Sequence, residues 1–285
     1  MSTPVIGFVG LGSMGGALVQ ALLRGGHQPL VFDLSSEARA AMVDQGALEA
    51  HSLEDLGRRA NIVGICVASD DQVRSVVDAG LLEALSPGSV LALHSTLLPE
   101  TVVEVAKKAE AHGIGVVEAP VTGGPAAAAE GRVTFLLAGE PEHVAAIEPL
   151  LAACGRTRID AGALGRANLL KLCINLQTYV THLAVAEAAG LARTLGVPID
   201  ALKTAMEANG QLGEITRSYF VLHELPDEIL DDPGTLALRD PMIAIIKKDM
   251  RLMEEVASRA GHDLPGLRTA SQNTVETYRM PDRRR

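Results

Sequence analysis

The chain has 285 residues, 47% of them hydrophobic, enough to fill the cores of two domains of about 100–200 residues each. Its 25 Lys and Arg against 35 Asp and Glu give a formal net charge of -10, which argues against a nucleic-acid or anionic-membrane surface; the one dense basic run, Arg283-Arg284-Arg285, reads as a solvated tail. Cys66, Cys154 and Cys173 have no metal-ligand spacing and sit in apolar sequence, so they read as buried small hydrophobes of a reducing compartment with no metal site, and no stretch of about 18 residues lacks a polar break.

The first strand begins near residue 5, which leaves no room for a signal peptide and makes the cytoplasm the expected location. This strand, over 5–9, enters Gly10-Leu11-Gly12-Ser13-Met14-Gly15; a helix of small and apolar residues follows, and Leu30-Val31-Phe32 leads to Asp33. In such a turn the first glycine permits the bend, the second lets backbone approach a pyrophosphate and the third lets helix and strand pack closely. The first amides of the helix add partial positive charge. A glycine triplet alone says little in a chain with 28 glycines, but here a strand precedes it and an acid follows at the expected spacing. Asp33 suits the adenosine ribose hydroxyls and repels a 2′-phosphate, and Leu34 follows it rather than an arginine, so the expected cofactor is NAD, with NADP less favoured.

A helix over 36–45 comes next, then a continuous apolar strand over 61–67 that ends at Ala68-Ser69-Asp70-Asp71, and a helix over 72–85. A strand over 89–93 leads to His94-Ser95-Thr96, and Pro99 opens a helix to about residue 112. The strand over 115–118 leads to Thr122-Gly123-Gly124, an apolar run covers 133–138, a helix starts at Pro141, and 157–159 makes a last short strand. This alternation predicts a doubly wound parallel sheet, with Thr96 and Thr122 just past strand ends, where ligands bind in open α/β sheets.

From about 165 to 195 helix formers dominate, and at about 1.5 Å per residue this is a rod near 45 Å long, suited to joining two domains. Leu169, Leu170, Leu172, Cys173, Ile174 and Leu176 surround it with apolar groups, as in a buried helix. Asn168, Lys171, Asn175, Thr178 and His182 nevertheless recur every three or four residues as one polar stripe. Everything later reads helical, with breaks expected at 196–198, 209–210, 225–234, 240–241 and 261–265. The domains expected are therefore 1–163 and an all-α 164–285, the apolar helix favouring a dimer.

A lysine in that stripe is costly unless it is paired or lines a wet cleft, and a partly desolvated lysine suits general acid/base work beside a nicotinamide. Lys171 is the candidate, with Asn175 one turn on to hold a substrate hydroxyl or carboxylate. Thr122-Gly123-Gly124 has the composition of an anion-binding nest.

The segments GFVGLGSMG, EAPVTGGPAAAAEG, GALGRANLLKLCINL and KKDMRL, in that order, resemble the β-hydroxyacid dehydrogenases, the group of 3-hydroxyisobutyrate dehydrogenase and tartronate semialdehyde reductase. The resemblance implies a Rossmann domain, an all-helical second domain joined through the long helix, and a homodimer. It implies hydride exchange between NAD and a small 3-hydroxy acid or its semialdehyde, with Lys171 as acid/base. Thr122, Gly123, Gly124 and Asn175 would surround the substrate, Thr96 would lie near the nicotinamide ribose, and Lys248 would reach cofactor and substrate. Gly10, Leu11, Gly12, Ser13, Met14, Gly15 and Asp33 would hold the dinucleotide. His94, Glu118 and Thr122 stand where the family usually has aspartate, aspartate and serine, the 214–239 segment is longer, and the ending differs after Tyr278. An imine reductase and a non-catalytic NAD-binding protein are the alternatives; Lys171 and the TGG turn argue against the first.

Overall fold

β1 (Ile6–Val9) is the centre of the first of two compact units, Met1–Lys171 and Leu172–Arg285. The structure is a computed structural model describing residues 4–279, apart from the side chains of residues 214, 215, 218, 227 and 238; the Arg283-Arg284-Arg285 run lies outside the described residues. β2 (Leu30–Phe32) and β4 (Ile62–Ile65) flank β1, β3 (Leu48–Glu49) lies beyond β2, and β5 (Val90–Leu93) and β6 (Gly115–Glu118) extend the other side. All these pairs are parallel, so the order is 3-2-1-4-5-6, that of a dinucleotide-binding sheet.

The strands are apolar throughout because both faces are covered. Ile6 and Phe8 join a core with α1 (Ser13–Arg24) and α9 (Glu148–Cys154), and Val9 and Ile65 join another with α3 (Leu53–Arg59), α4 (Asp70–Val76) and α6 (Pro99–Glu110). Ser35, Ser52 and Ser69 start α2 (Ser36–Val43), α3 and α4, each accepting a bond from an amide three residues on, one of the donors a helix start leaves orphaned. The expected helix over 72–85 is not continuous: Gly80, at φ +82°, separates α4 from the short α5 (Leu82–Ala84).

The sheet is not wholly parallel, which corrects the reading from alternation. β8 (Thr134–Ala138) runs antiparallel to β6 and to β7 (Val121–Thr122), and β9 (Thr157–Gly162) runs parallel to β8. Between β7 and β8 lies only α7 (Gly124–Ala129), too short for the crossover of about a dozen residues that a parallel return requires. α8 (Pro141–Ala146) and α9 then lead to β9.

α10 (Arg166–Thr194) begins in the first unit and runs for 29 residues. In the second unit its buried line is Leu172, Asn175, Tyr179, His182, Val185, Ala189 and Ala192, at steps of three and four. The expected burial of its apolar residues is therefore corrected in part: Leu169 and Leu191 are exposed in the single chain, and so is Cys173, which falls beside Leu172 and off the line. Cys66 is half-buried, and burial pushes the Cys154 thiol up to about 12.

α11 (Ile199–Ala208), α12 (Glu214–Glu224), α13 (Asp227–Leu230), α14 (Pro233–Arg259), α15 (Pro265–Gln272) and α16 (Thr274–Thr277) make up the rest of the second unit. The break expected at Asp240-Pro241 does not occur; Pro241 lies inside α14. Burial of Ile243, Ile246, Met250 and Met253 along one face outweighs the roughly 3 kcal/mol that an internal proline costs. Among the described residues no helix is long and apolar enough to cross a membrane.

Candidate active site

The glycine turn after β1 has the form its sequence demands. Gly10 sits at φ +90°, and a Cβ there would lie 2.3 Å from the Cys66 carbonyl oxygen; one on Gly15 would lie 2.0 Å from that of Gly10. Gly12, by contrast, has nothing within 4 Å of an added Cβ. That open side faces the start of α1, whose first turn holds no acid and whose cap residue offers no side-chain bond. A pyrophosphate fits such a cradle of free amides and positive dipole.

Asp33, just past β2, accepts from the Leu11 amide at 2.6 Å and the Ser35 amide at 2.8 Å. Each oxygen keeps a lone pair for a ribose hydroxyl. Neighbours able to meet a 2′-phosphate are engaged elsewhere. Arg39 donates to Glu49 and to the Asp33 carbonyl, at 2.8 and 2.5 Å, and the Ser35 hydroxyl caps α2 and donates to Glu37. Leu34 is 92% exposed and offers no charge. The double variant D33N/L34R is expected to shift the ratio of kcat/KM for NADPH over NADH by roughly tenfold or more, the worth of one charge-assisted bond gained and one lost. An unchanged ratio in steady-state assays would sink this assignment of cofactor preference.

The loop after β5 is fastened on both sides of Thr96. The Ser95 hydroxyl donates to the Val67 carbonyl at 2.7 Å and accepts from the Val67 amide at 2.9 Å, while the Leu98 amide donates to Asp70 at 2.9 Å. The Leu97 amide donates to the Asn168 side chain at 2.8 Å. The Asn168 amide nitrogen in turn donates to Glu118 at 2.7 Å. Glu118 closes β6, is fully buried, and also accepts from the backbone amides of Gly165 and Asn168. Burial pushes its carboxyl above the usual range, with these donors pulling the other way. Lys171, half-buried, stands one turn beyond Asn168 on α10.

His94 takes no part in this loop. Its ring stacks on Phe8 with centroids 5.7 Å apart, and its Nδ1 lies 2.9 Å from the Ala119 carbonyl, to which it donates. The change from the family's usual residue is thus absorbed by the core. Thr122, at the end of β7, leads into Gly123 and Gly124 at φ +126° and +80°, and a Cβ on Gly124 would meet nothing within 4 Å. Both glycines hold conformations other residues rarely adopt.

In the second unit a buried carboxylate organises the remaining candidates. Asp249, 2% exposed, accepts through Oδ2 from the Asn175 amide nitrogen at 2.8 Å and the Tyr179 hydroxyl at 2.9 Å, and its Oδ1 is 2.7 Å from Lys248 Nζ. A carboxylate only accepts, so the Asn175 nitrogen must face it and the Asn175 oxygen is turned elsewhere. The sequence singled out Lys248 and Asn175 but not Asp249 as the partner of Asn175, nor Glu118 as an anchor, because Asn175 lies 74 residues from Asp249 and the donors to Glu118 lie 47 to 50 residues from it.

A family model for the NAD binding domain of 6-phosphogluconate dehydrogenase matches residues 5–165. An uncharacterized oxidoreductase of Mycobacterium tuberculosis is 38% identical over 98% of this chain and 95% of its own length. The 3-sulfolactaldehyde reductase of Escherichia coli is 30% identical over 98% of this chain and 92% of its own. The crystal structure of 3-hydroxyisobutyrate dehydrogenase from Salmonella typhimurium superposes with a TM-score of 0.81 and 25% identity, over 95% of this chain and 92% of that one. With its glycine turn, an acid at the end of β2 and a 3-2-1-4-5-6 sheet, the chain belongs to the β-hydroxyacid dehydrogenase family and is an NAD-dependent oxidoreductase acting on hydroxyl groups.

Proposed function

We propose that the chain interconverts a small 3-hydroxy acid and its semialdehyde, with Lys171 as general acid/base. The observation that carries this reading is the placement of Lys171. It lies in the unit that holds the glycine turn and Asp33, one turn past an asparagine bonded both to a buried acid and to the loop after Thr96. The nicotinamide, when bound, gives or receives the hydride. Lys171 Nζ gives a proton to the carbonyl oxygen as the aldehyde carbon is reduced and takes it back from the hydroxyl in oxidation.

The amides of Gly123 and Gly124, both at positive φ, hold the substrate carboxylate with the Thr122 hydroxyl. Asn175, its nitrogen committed to Asp249, accepts a bond from the substrate hydroxyl through its oxygen. Lys248, held by Asp249, adds positive charge toward cofactor and substrate, and Thr96 contacts the nicotinamide ribose. A homodimer goes with this reading, supported by the exposed Leu169, Leu191 and Leu195 along and just past α10.

Screening short 2- and 3-hydroxy acids with NAD, and the matching aldehydes with NADH, by absorbance of the reduced cofactor tests the reading. Turnover is expected for 3-hydroxy acids with a free carboxylate and not for their methyl esters. Equal rates on acid and ester would overturn the carboxylate assignment.

A further inference from the structure

We propose that Glu118 is a positioning residue for Lys171: its carboxylate fixes the first turn of α10 and, through Asn168, locks that turn to the loop after Thr96. The proposal rests on the reading of Lys171 as acid/base. A helix start leaves about four amides without partners. Here the amides of Gly165 and Asn168 and the side-chain nitrogen of Asn168 all donate to one fully buried carboxylate. These three donors engage both oxygens of the carboxylate, whose charge sits at the positive end of a 29-residue helix. The helix can then neither turn about its axis nor slide along it without breaking a charge-assisted bond.

An apolar side chain of equal volume would leave these buried donors without acceptors, so the carboxylate already serves stability. What the carboxylate adds is direction. Its donors come from the backbone where α10 begins and from one side chain, and the same Asn168 side chain accepts from Leu97, next to Thr96. The second turn of α10, which carries Lys171, is thereby tied to β6 and to the end of β5 at once. A displacement of about 1 Å at a reacting group can cost on the order of 10²-fold in rate, so an anchor of this kind acts on turnover rather than on cofactor affinity.

In E118Q one half of the side chain becomes a donor and meets a backbone N–H, while Oε1 keeps an acceptor. In the full chain, E118Q is expected to lower kcat by about 10–100-fold with KM for NADH changed less than about two-fold. Amide hydrogen exchange at 165–168 is expected to speed up on the order of tenfold. E118D keeps the charge and is expected to recover part of the lost kcat. A kcat for E118Q within about two-fold of the parent, or exchange at 165–168 that does not change, overturns the proposal. K171A measured alongside separates the two readings: undiminished turnover there refutes Lys171 as acid/base, while the exchange result on E118Q still decides whether Glu118 anchors the helix.

Discussion

Replacing Lys171 with alanine is expected to lower kcat by about 10²–10⁴-fold while leaving NADH affinity within about two-fold, the range that a general acid/base contributes. Alanine removes the only proposed proton carrier but none of the groups assigned to the dinucleotide, since Gly10, Gly12, Gly15 and Asp33 lie in the β1–β2 region and Asp33 is fixed by the Leu11 and Ser35 amides. K171R sharpens the test, because a guanidinium keeps the charge but does not release its proton near neutral pH. Both variants are expected to be nearly inactive. An active K171R with an inactive K171A would mean that Lys171 works by charge alone. Rapid-mixing assays with NADH fluorescence separate binding from the chemical step, and an active K171A assigns the lysine to structure.

The dinucleotide end of the site was legible in the sequence because its chemistry is local. Gly10 and Gly15 are required by contacts with Cys66 and Gly10 that follow from one strand turning into one helix, and Asp33 reaches the same turn from the next strand. Lys171 was legible for a similar reason: a charge in an apolar helix stands out by periodicity alone. The anchor on Glu118 was not, because its donors lie 47 to 50 residues away and nothing near β6 indicates them. Strand direction was likewise invisible. The run over 133–138 has the apolar character of a parallel strand, and only its pairing with β6 and β7 makes it antiparallel. Pro241 misled in the other direction, since local propensity marks a break where the burial of Ile243, Ile246 and Met250 sustains a helix.

The second unit is expected to lose several kcal/mol of stability between pH 6.5 and about 4, through histidines buried in neutral form. His182 stacks on Tyr219 at 3.8 Å between centroids, meets the Tyr278 hydroxyl at 3.0 Å through Nδ1, and has Tyr179 and His223 as further neighbours or charges facing it. Burial, with a smaller push from His223, lowers its pKa to about 4, and burial with Arg193 and Arg279 does the same for His223. Both folded values lie below the unfolded one near 6.5, so the unfolded chain binds more protons across that window. Stability is therefore whole above about 6.5 and falls as the pH drops toward 4, by about 3 kcal/mol for each histidine if it stays buried. In the first unit His94, lowered to about 4 by burial between Phe8 and Phe135, behaves with the same sign. Glu118, raised by burial, opposes the trend as the pH falls from its folded value to its unfolded one, where the folded state binds more protons. All three tyrosines, Tyr179, Tyr219 and Tyr278, lie in the second unit and the chain has no tryptophan, so tyrosine fluorescence during urea unfolding follows that unit alone. H182F keeps a stacked ring without a titrating nitrogen and is expected to lose about 1 kcal/mol at pH 7.5 with the Tyr278 bond, yet to show a shallower fall toward pH 4.5 than the parent. A parent protein whose tyrosine-detected stability is level from pH 7.5 to 5, or an H182F variant that falls as steeply, would show that these imidazoles are protonated in the folded chain.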